Sequence, residues 1–270
     1  MNKNTIVIMK IPTTLSWYLM LILIAINFNS IGQEIKTPPK TNPIKKVLFV
    51  GNSFTYFWNM PQLVHEMLKK NSFPLEVSQS TVGGSNLQEH WEKQKNTVTR
   101  ELLQKNKWDF VILSDHSLSA INTPEEFEKY IKKFNELLKS EGAQPSLYMT
   151  WAYHSNPLMQ KKITEKYNEI GKMLNISVVP VGEVIMTARR LRPDLNFYFD
   201  DKHQSPEGSY LIALVFYKAL TGSSVLNIPE RITSEDYRGQ NLYLSIIQPE
   251  TSLFLKQLVE EFDIPTLEKK

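Results

Sequence analysis

Ser53, Asp200 and His203 are the residue types that nucleophilic acyl chemistry needs. Ser53 stands in "VLFVGNSFTYFW", where an apolar run stops at Gly51 and a small polar cluster of Asn52, Ser53 and Thr55 follows at once. Asp200 and His203 stand in "YFDDKHQSPEGSYL", an Asp-x-x-His arrangement just ahead of a helix-start signal. A serine nucleophile needs a base within hydrogen-bond reach, and the base needs an orienting acid. An offset of three residues in one turn can set a carboxylate against the imidazole Nδ1–H and leave Nε2 for the serine. Taken on spacing alone, a solvated loop with an incidental histidine explains the same residues. Asp201 competes with Asp200 for the acid role.

Such residues have to be positioned by a framework, and the chain carries one. From Lys46 onward, short apolar runs alternate with longer amphipathic stretches. The strand candidates are 46–50, 75–80, 109–114, 145–150 and 176–181. Helical patterns lie between them. "MPQLVHEMLKKN" has Pro61 near its start, and "NLQEHWEKQKNTVTRELLQKN" is the longest. "TPEEFEKYIKKFNELLKSEG" opens on a Thr cap, Pro and two Glu and closes on Gly142. "PLMQKKITEKYNEIGKMLN" follows, and "SPEGSYLIALVFYKALTG" closes on Gly222. This alternation predicts an α/β fold, a mostly parallel five-stranded sheet with helices on both faces. Ligands bind such sheets at the carboxyl ends of the strands. Ser53, Gly83 and Gly84, Asp115 and His116, and Trp151 and His154 all fall just after strands, on one edge.

Composition narrows the classes. The chain has 270 residues, 41% of them hydrophobic, enough for a sizeable core and too few for a membrane bundle. Residues 1–32 run from Lys3 and Lys10 through an apolar stretch to Ser30 and Gly32, the pattern of a signal peptide cut before Gln33. An uncleaved N-terminal anchor is the competing reading. Residues 33–45 read as a Pro-rich linker and 46–270 as the folded domain. Loss of the leader removes two Lys and no acids, so the formal charge falls from +3 to +1. Near-neutrality and the absence of a basic block give no nucleic-acid signal. There is no Cys, which excludes a lipoprotein anchor, thiol catalysis and iron–sulfur clusters. Asp115, His116, Asp200 and His203 are metal-compatible types, but no local ligand spacing supports a metal, and no cofactor is expected.

"GNSFT" after the first strand and "DDKHQSPEGSYLIAL" near the domain end resemble the first and last blocks of the SGNH/GDSL hydrolases, where Gly-Asp-Ser is more usual than Gly-Asn-Ser. "GGSNLQEHW", "TWAY" and "PVGE" stand in order between them, and the likeness covers roughly residues 46–222. It implies a flavodoxin-like three-layer α/β/α sandwich. It implies that Ser53 attacks an ester, that His203 is the base and that Asp200 is the acid. The oxyanion-hole donors it implies are Ser53 N–H, a Gly N–H and an Asn side chain. The Gly maps to Gly84, with Gly83 a close rival. The Asn position falls on His116 in "SDHS", a departure from the pattern; an imidazole N–H can donate in its place. Trp151 and His154 are expected to touch substrate, Trp151 as a platform for a sugar ring. His65 reads as a surface or boundary residue, and His90, beside Trp91, as a helix-face packing residue. Trp58, Trp91 and Trp108 read as core. The resulting expectation is an exported serine esterase acting on small acyl esters of carbohydrates, without stable membrane insertion. Acyl transfer on the same triad and a non-catalytic carbohydrate-binding protein are the alternatives.

Overall fold

A computed structural model describes residues 43–267. The expected signal peptide and most of the expected linker lie outside the described residues. Five parallel strands form the sheet: β1 (Lys45–Gly51), β2 (Leu75–Thr81), β3 (Phe110–Leu113), β4 (Gln144–Tyr148) and β5 (Ser177–Val179), in the order β2-β1-β3-β4-β5. Val47 pairs with both Val77 and Phe110, which fixes the register of the three strands that carry the site. β1 reads as an unbroken apolar run because both of its faces are buried. Val47 and Phe49 point into one layer, and Leu48 and Val50 into the other.

The first layer holds α2 (Met60–Lys70), α8 (Val181–Leu191), α9 (Pro206–Thr221) and α10 (Pro249–Glu261). The second holds α3 (Leu87–Glu92), α4 (Thr99–Lys105), α6 (Pro124–Ser140) and α7 (Met159–Leu174). Two single turns, α1 (Ser53–Tyr56) and α5 (Ser119–Asn122), follow β1 and β3. The three-layer α/β/α expectation therefore holds. α9 is apolar nearly all round because it is sunk between the sheet and α10. Ser205 caps it by accepting from Gly208 N–H at 3.1 Å, and Gly222 ends it in the left-handed region at φ 65°.

Local signals misled in three places. The long helix expected over 86–106 is two short ones. Lys93, Lys95 and Asn96 all take positive φ, and the loop they form carries Lys95 back towards β2. Thr123 stands at the N-cap of α6, but its side chain makes no capping bond. α8, the antiparallel hairpin β6 (Arg231–Glu235) and β7 (Asn241–Ile246), and α10 lie outside the elements read from the sequence.

Candidate active site

Gly51 ends β1 because nothing larger fits. A methyl group there would strike Thr55 Oγ1 and lie 3.0 Å from Ser114 Cβ. Asn52 then caps α1 by accepting from Phe54 N–H at 3.0 Å. The N–H groups of Thr55 and Tyr56 go to Asn52 O. Ser53 N–H is left without an acceptor among the described residues, beside its own hydroxyl. The helix behind it is a single turn, since Phe57–Asn59 forms a 3₁₀ turn in which Trp58 and Asn59 sit at φ 52° and 53°. A single turn adds little helix field at Ser53, so what it offers a negative charge is that free N–H. Left-handed non-glycine residues cost of order 1–3 kcal/mol each and collect at functional sites.

His203 Nε2 lies 2.9 Å from Ser53 Oγ, and His203 Nδ1 lies 2.7 Å from Asp200 Oδ2. Asp200 Oδ1 accepts from the backbone N–H of Lys202 at 2.8 Å and of His203 at 2.7 Å, so one carboxylate both builds the turn and orients the ring. Desolvation pushes the Asp200 carboxyl up. The N–H groups of the His203 ring, the His203 backbone and the Lys202 backbone outweigh it and hold the group at about 2. Asp201 turns away and binds Ser155 through its backbone N–H at 2.8 Å and its hydroxyl at 2.9 Å. Of the two candidate acids, only Asp200 reaches His203.

The cleft over Ser53 measures about 180 Å³ and is lined by Asn52, Ser53, Phe54, Gly84, His116, Ser117, Lys202 and His203. Gly84 lines it and Gly83 does not. Val82 O accepts from Ser85 N–H at 3.1 Å, closing a turn in which Gly84 takes φ 65°. Gly84 O is held by Lys95 Nζ at 2.9 Å, and Gly84 N–H has no acceptor among the described residues. The His116 ring makes no hydrogen bond to another described side chain. Burial first, then the charges of Lys202 and Lys95, lowers its pKa, which keeps the ring neutral. A larger cleft of about 470 Å³ lies at the opposite end of β4 and β5, where Lys139 is its one charged lining residue.

The backbone is similar to those of known structures. A candidate SGNH hydrolase from Slackia heliotrinireducens superposes with a TM-score of 0.57 at 26% identity, over 66% of this chain and 98% of its own. The fold is that of the SGNH/GDSL-type hydrolases. A DUF4886 family protein from Bacteroides uniformis ATCC 8492 matches at 0.61 and 20% identity, over 80% and 93%. A catalytic mutant of an acetylxylan esterase from Geobacillus stearothermophilus matches at 0.52 and 14%, over 66% and 95%. The chain matches no protein-family model and no curated protein. On this SGNH framework, the relay from Asp200 through His203 to Ser53 has the arrangement of a carboxylic-ester hydrolase.

Behind the cleft lies a buried scaffold not expected from the sequence. Asn52 Nδ2 donates to Ser85 O at 2.9 Å and to Asp115 O at 3.0 Å, tying together the loops after β1, β2 and β3. Asp115 is buried; its Oδ1 accepts from Leu87 N–H at 3.0 Å and His116 N–H at 2.6 Å, and burial pushes its carboxyl up to about 6. His90 packs on the buried face of α3 and is fully buried there. Its Nε2 lies 2.9 Å from Gly51 O, which can only accept, so Nε2 carries the proton. Nδ1 then accepts from the Thr99 hydroxyl at 2.6 Å, and Thr99 accepts from Ser80 at 2.8 Å. Burial lowers the His90 pKa to about 4.

Two substrate-contact expectations are corrected. Trp151 is fully buried: its ring stacks on Phe54 at 4.2 Å, and its Nε1–H donates to Lys202 O at 2.8 Å. It positions the Lys202–His203 turn and cannot face a sugar. His154 is exposed but does not line the cleft; its ring stands edge-on to Tyr198. Trp58, expected in the core, is 40% exposed. Trp108 is buried, and Trp91 is half-buried under Arg100 and Phe134. His65, half-buried, accepts from Val77 N–H at 3.4 Å.

Proposed function

We propose that this chain is an exported serine esterase that removes small acyl groups, acetyl foremost, from carbohydrate esters. The observation that carries the reading is the unbroken relay from Ser53 Oγ through His203 to Asp200, at 2.9 and 2.7 Å. Ser53 Oγ attacks the ester carbon while His203 Nε2 takes its proton. The oxyanion accepts from the N–H groups of Ser53 and Gly84 and from an N–H of the neutral His116 ring. As the carbon–oxygen bond to the alcohol breaks, His203 returns the proton to the leaving oxygen. Water, deprotonated by His203, then attacks the acyl-serine; the carboxylic acid leaves and Ser53 regains its proton. Asp200 stays ionised throughout and orients the ring.

Three facts support the choice of substrate. The cleft of about 180 Å³ suits a short acyl group. Acetyl xylan esterases are among the proteins that share the fold. The order of charged, apolar and small residues in 1–32 favours export, where polysaccharide esters are met. The test is active-site labelling of the mature protein with a fluorophosphonate, together with acetate release from acetylated xylan. Label on Ser53 and release that both vanish in Ser53→Ala are expected. An unlabelled parent would favour a non-catalytic carbohydrate-binding protein instead.

A further inference from the structure

We propose that Phe57, Trp58 and Phe199 form a platform for the alcohol half of the ester, selecting alcohols that present a ring with an apolar face. The inference rests on the esterase reading and takes it further. Phe57 stacks on the His203 imidazole, 4.2 Å between centroids and 6° between planes. Phe199, the residue before Asp200, lies 6.3 Å from Phe57 and 5.7 Å from Trp58. Two separate chain segments thus join three rings in a row, of which Phe57 lies against the base.

Phe57 is half-buried, but burial does not explain the other two rings. Phe199 is 62% exposed and Trp58 40% exposed, in a protein whose other aromatics near the triad are buried or half-buried. Large apolar groups clustered in the open mark binding surfaces. Nor is the cluster loose. Trp58 Nε1–H donates to Gln204 O at 2.7 Å, which pins the indole to the residue after the base, and Trp58 and Asn59 hold left-handed backbone to keep it there.

Position decides which half of the ester is held. The carbonyl oxygen must lie on the Ser53–Gly84 side, where the free N–H groups are. The leaving oxygen must lie at His203 Nε2, which gives it a proton. None of the three rings lines the cleft itself, so they meet only what the leaving oxygen carries beyond it, past the His203 ring on which Phe57 stacks. A pyranose turns its C–H face to such rings, whereas a short open-chain alcohol cannot span them.

The experiment compares methyl β-D-xylopyranoside peracetate with ethyl acetate in the parent and in Phe199→Ala. Phe199 is exposed, so its loss does not open the core. The ratio of kcat/KM between the two esters should fall about tenfold, through KM for the xyloside. A ratio unchanged within twofold overturns the proposal. So does an altered preference between acetyl and butanoyl esters, which would put the acyl half on the platform, or a change confined to sedimentation, which would make the face a contact between copies. Titration of methyl β-D-xylopyranoside against the Trp58 indole N–H resonance separates the two readings. If neither ester is hydrolysed but the xyloside shifts that resonance, and the shift is lost in Phe199→Ala, the esterase reading fails and the platform stands. If the parent shows no shift, the platform fails whatever the hydrolysis.

Discussion

Asn52→Asp introduces the residue most usual in the first block of the SGNH/GDSL hydrolases that the sequence resembles, and here it should be harmful. The Asn52 side chain is almost fully buried and makes three bonds. Its Oδ1 accepts from Phe54 N–H, a bond that Asp keeps. Its Nδ2 donates to Ser85 O at 2.9 Å and Asp115 O at 3.0 Å, and a carboxylate can make neither bond. Each buried carbonyl left without its donor costs about 1–3 kcal/mol, so about 4 kcal/mol is expected for the pair. For a domain of this size, that lowers the melting temperature by about 8–16 °C. The loss should shrink at acid pH, where the introduced carboxyl is protonated and regains one O–H donor. Turnover should fall with stability, because the two carbonyls belong to the loops that present Gly84 and His116. Asn52→Ala, which loses all three bonds, should melt at least as low and show no relief on acidification. Thermal melts of the three proteins between pH 5 and 8 are the assay. If Asn52→Asp melts within about 2 °C of the parent at pH 8, or its deficit does not narrow towards pH 5, the bridging role of the amide is wrong.

Asp200→Ala should lower kcat on an aryl acetate by about 10²–10⁴-fold, and Asp201→Ala by far less, because Asp201 holds Ser155 and not the base; equal losses would refute the assignment of the acid. His116→Ala should lower kcat by about ten- to a thousandfold with little change in KM, and His116→Asn should recover part of the loss; an effect on KM alone would remove His116 from the oxyanion hole. His90 and Asp115 should pull stability in opposite directions with pH. The His90 pKa is lowered in the folded state, so its contribution is present above about 6.5 and lost as pH falls towards 4; the Asp115 pKa is raised, so its contribution is present below about 4 and lost as pH rises through 6. Relative to the parent, Asp115→Asn should therefore steepen the rise in urea midpoint from pH 4 to 6.5, and His90→Gln should reverse it; slopes of the same sign in both variants would count against the buried network.

What the sequence made legible was whatever is decided locally. The apolar runs at β1 and β3 are unbroken because parallel strands bury both faces, so their positions could be read to within a residue or two. Ser205, Pro206 and Gly222 bound α9 by rules that act within one turn. What stayed hidden depends on partners far along the chain. Lys93, Lys95 and Asn96 are unremarkable inside a helical pattern; all three take positive φ there, and Lys95 reaches Gly84 O and Glu89. Trp151 does stand at the active edge, but a position after a strand fixes the edge and not the direction of the side chain. Its ring went inward onto Phe54, and the exposed aromatic surface came instead from residues beside the nucleophile and the acid. His90 carried a usable signal. It stands three residues after Leu87, on the same helical face, and Leu87 is fully buried. A histidine on a buried face must find polar partners, and the nearest polar backbone at that depth is the end of the strand that presents the serine.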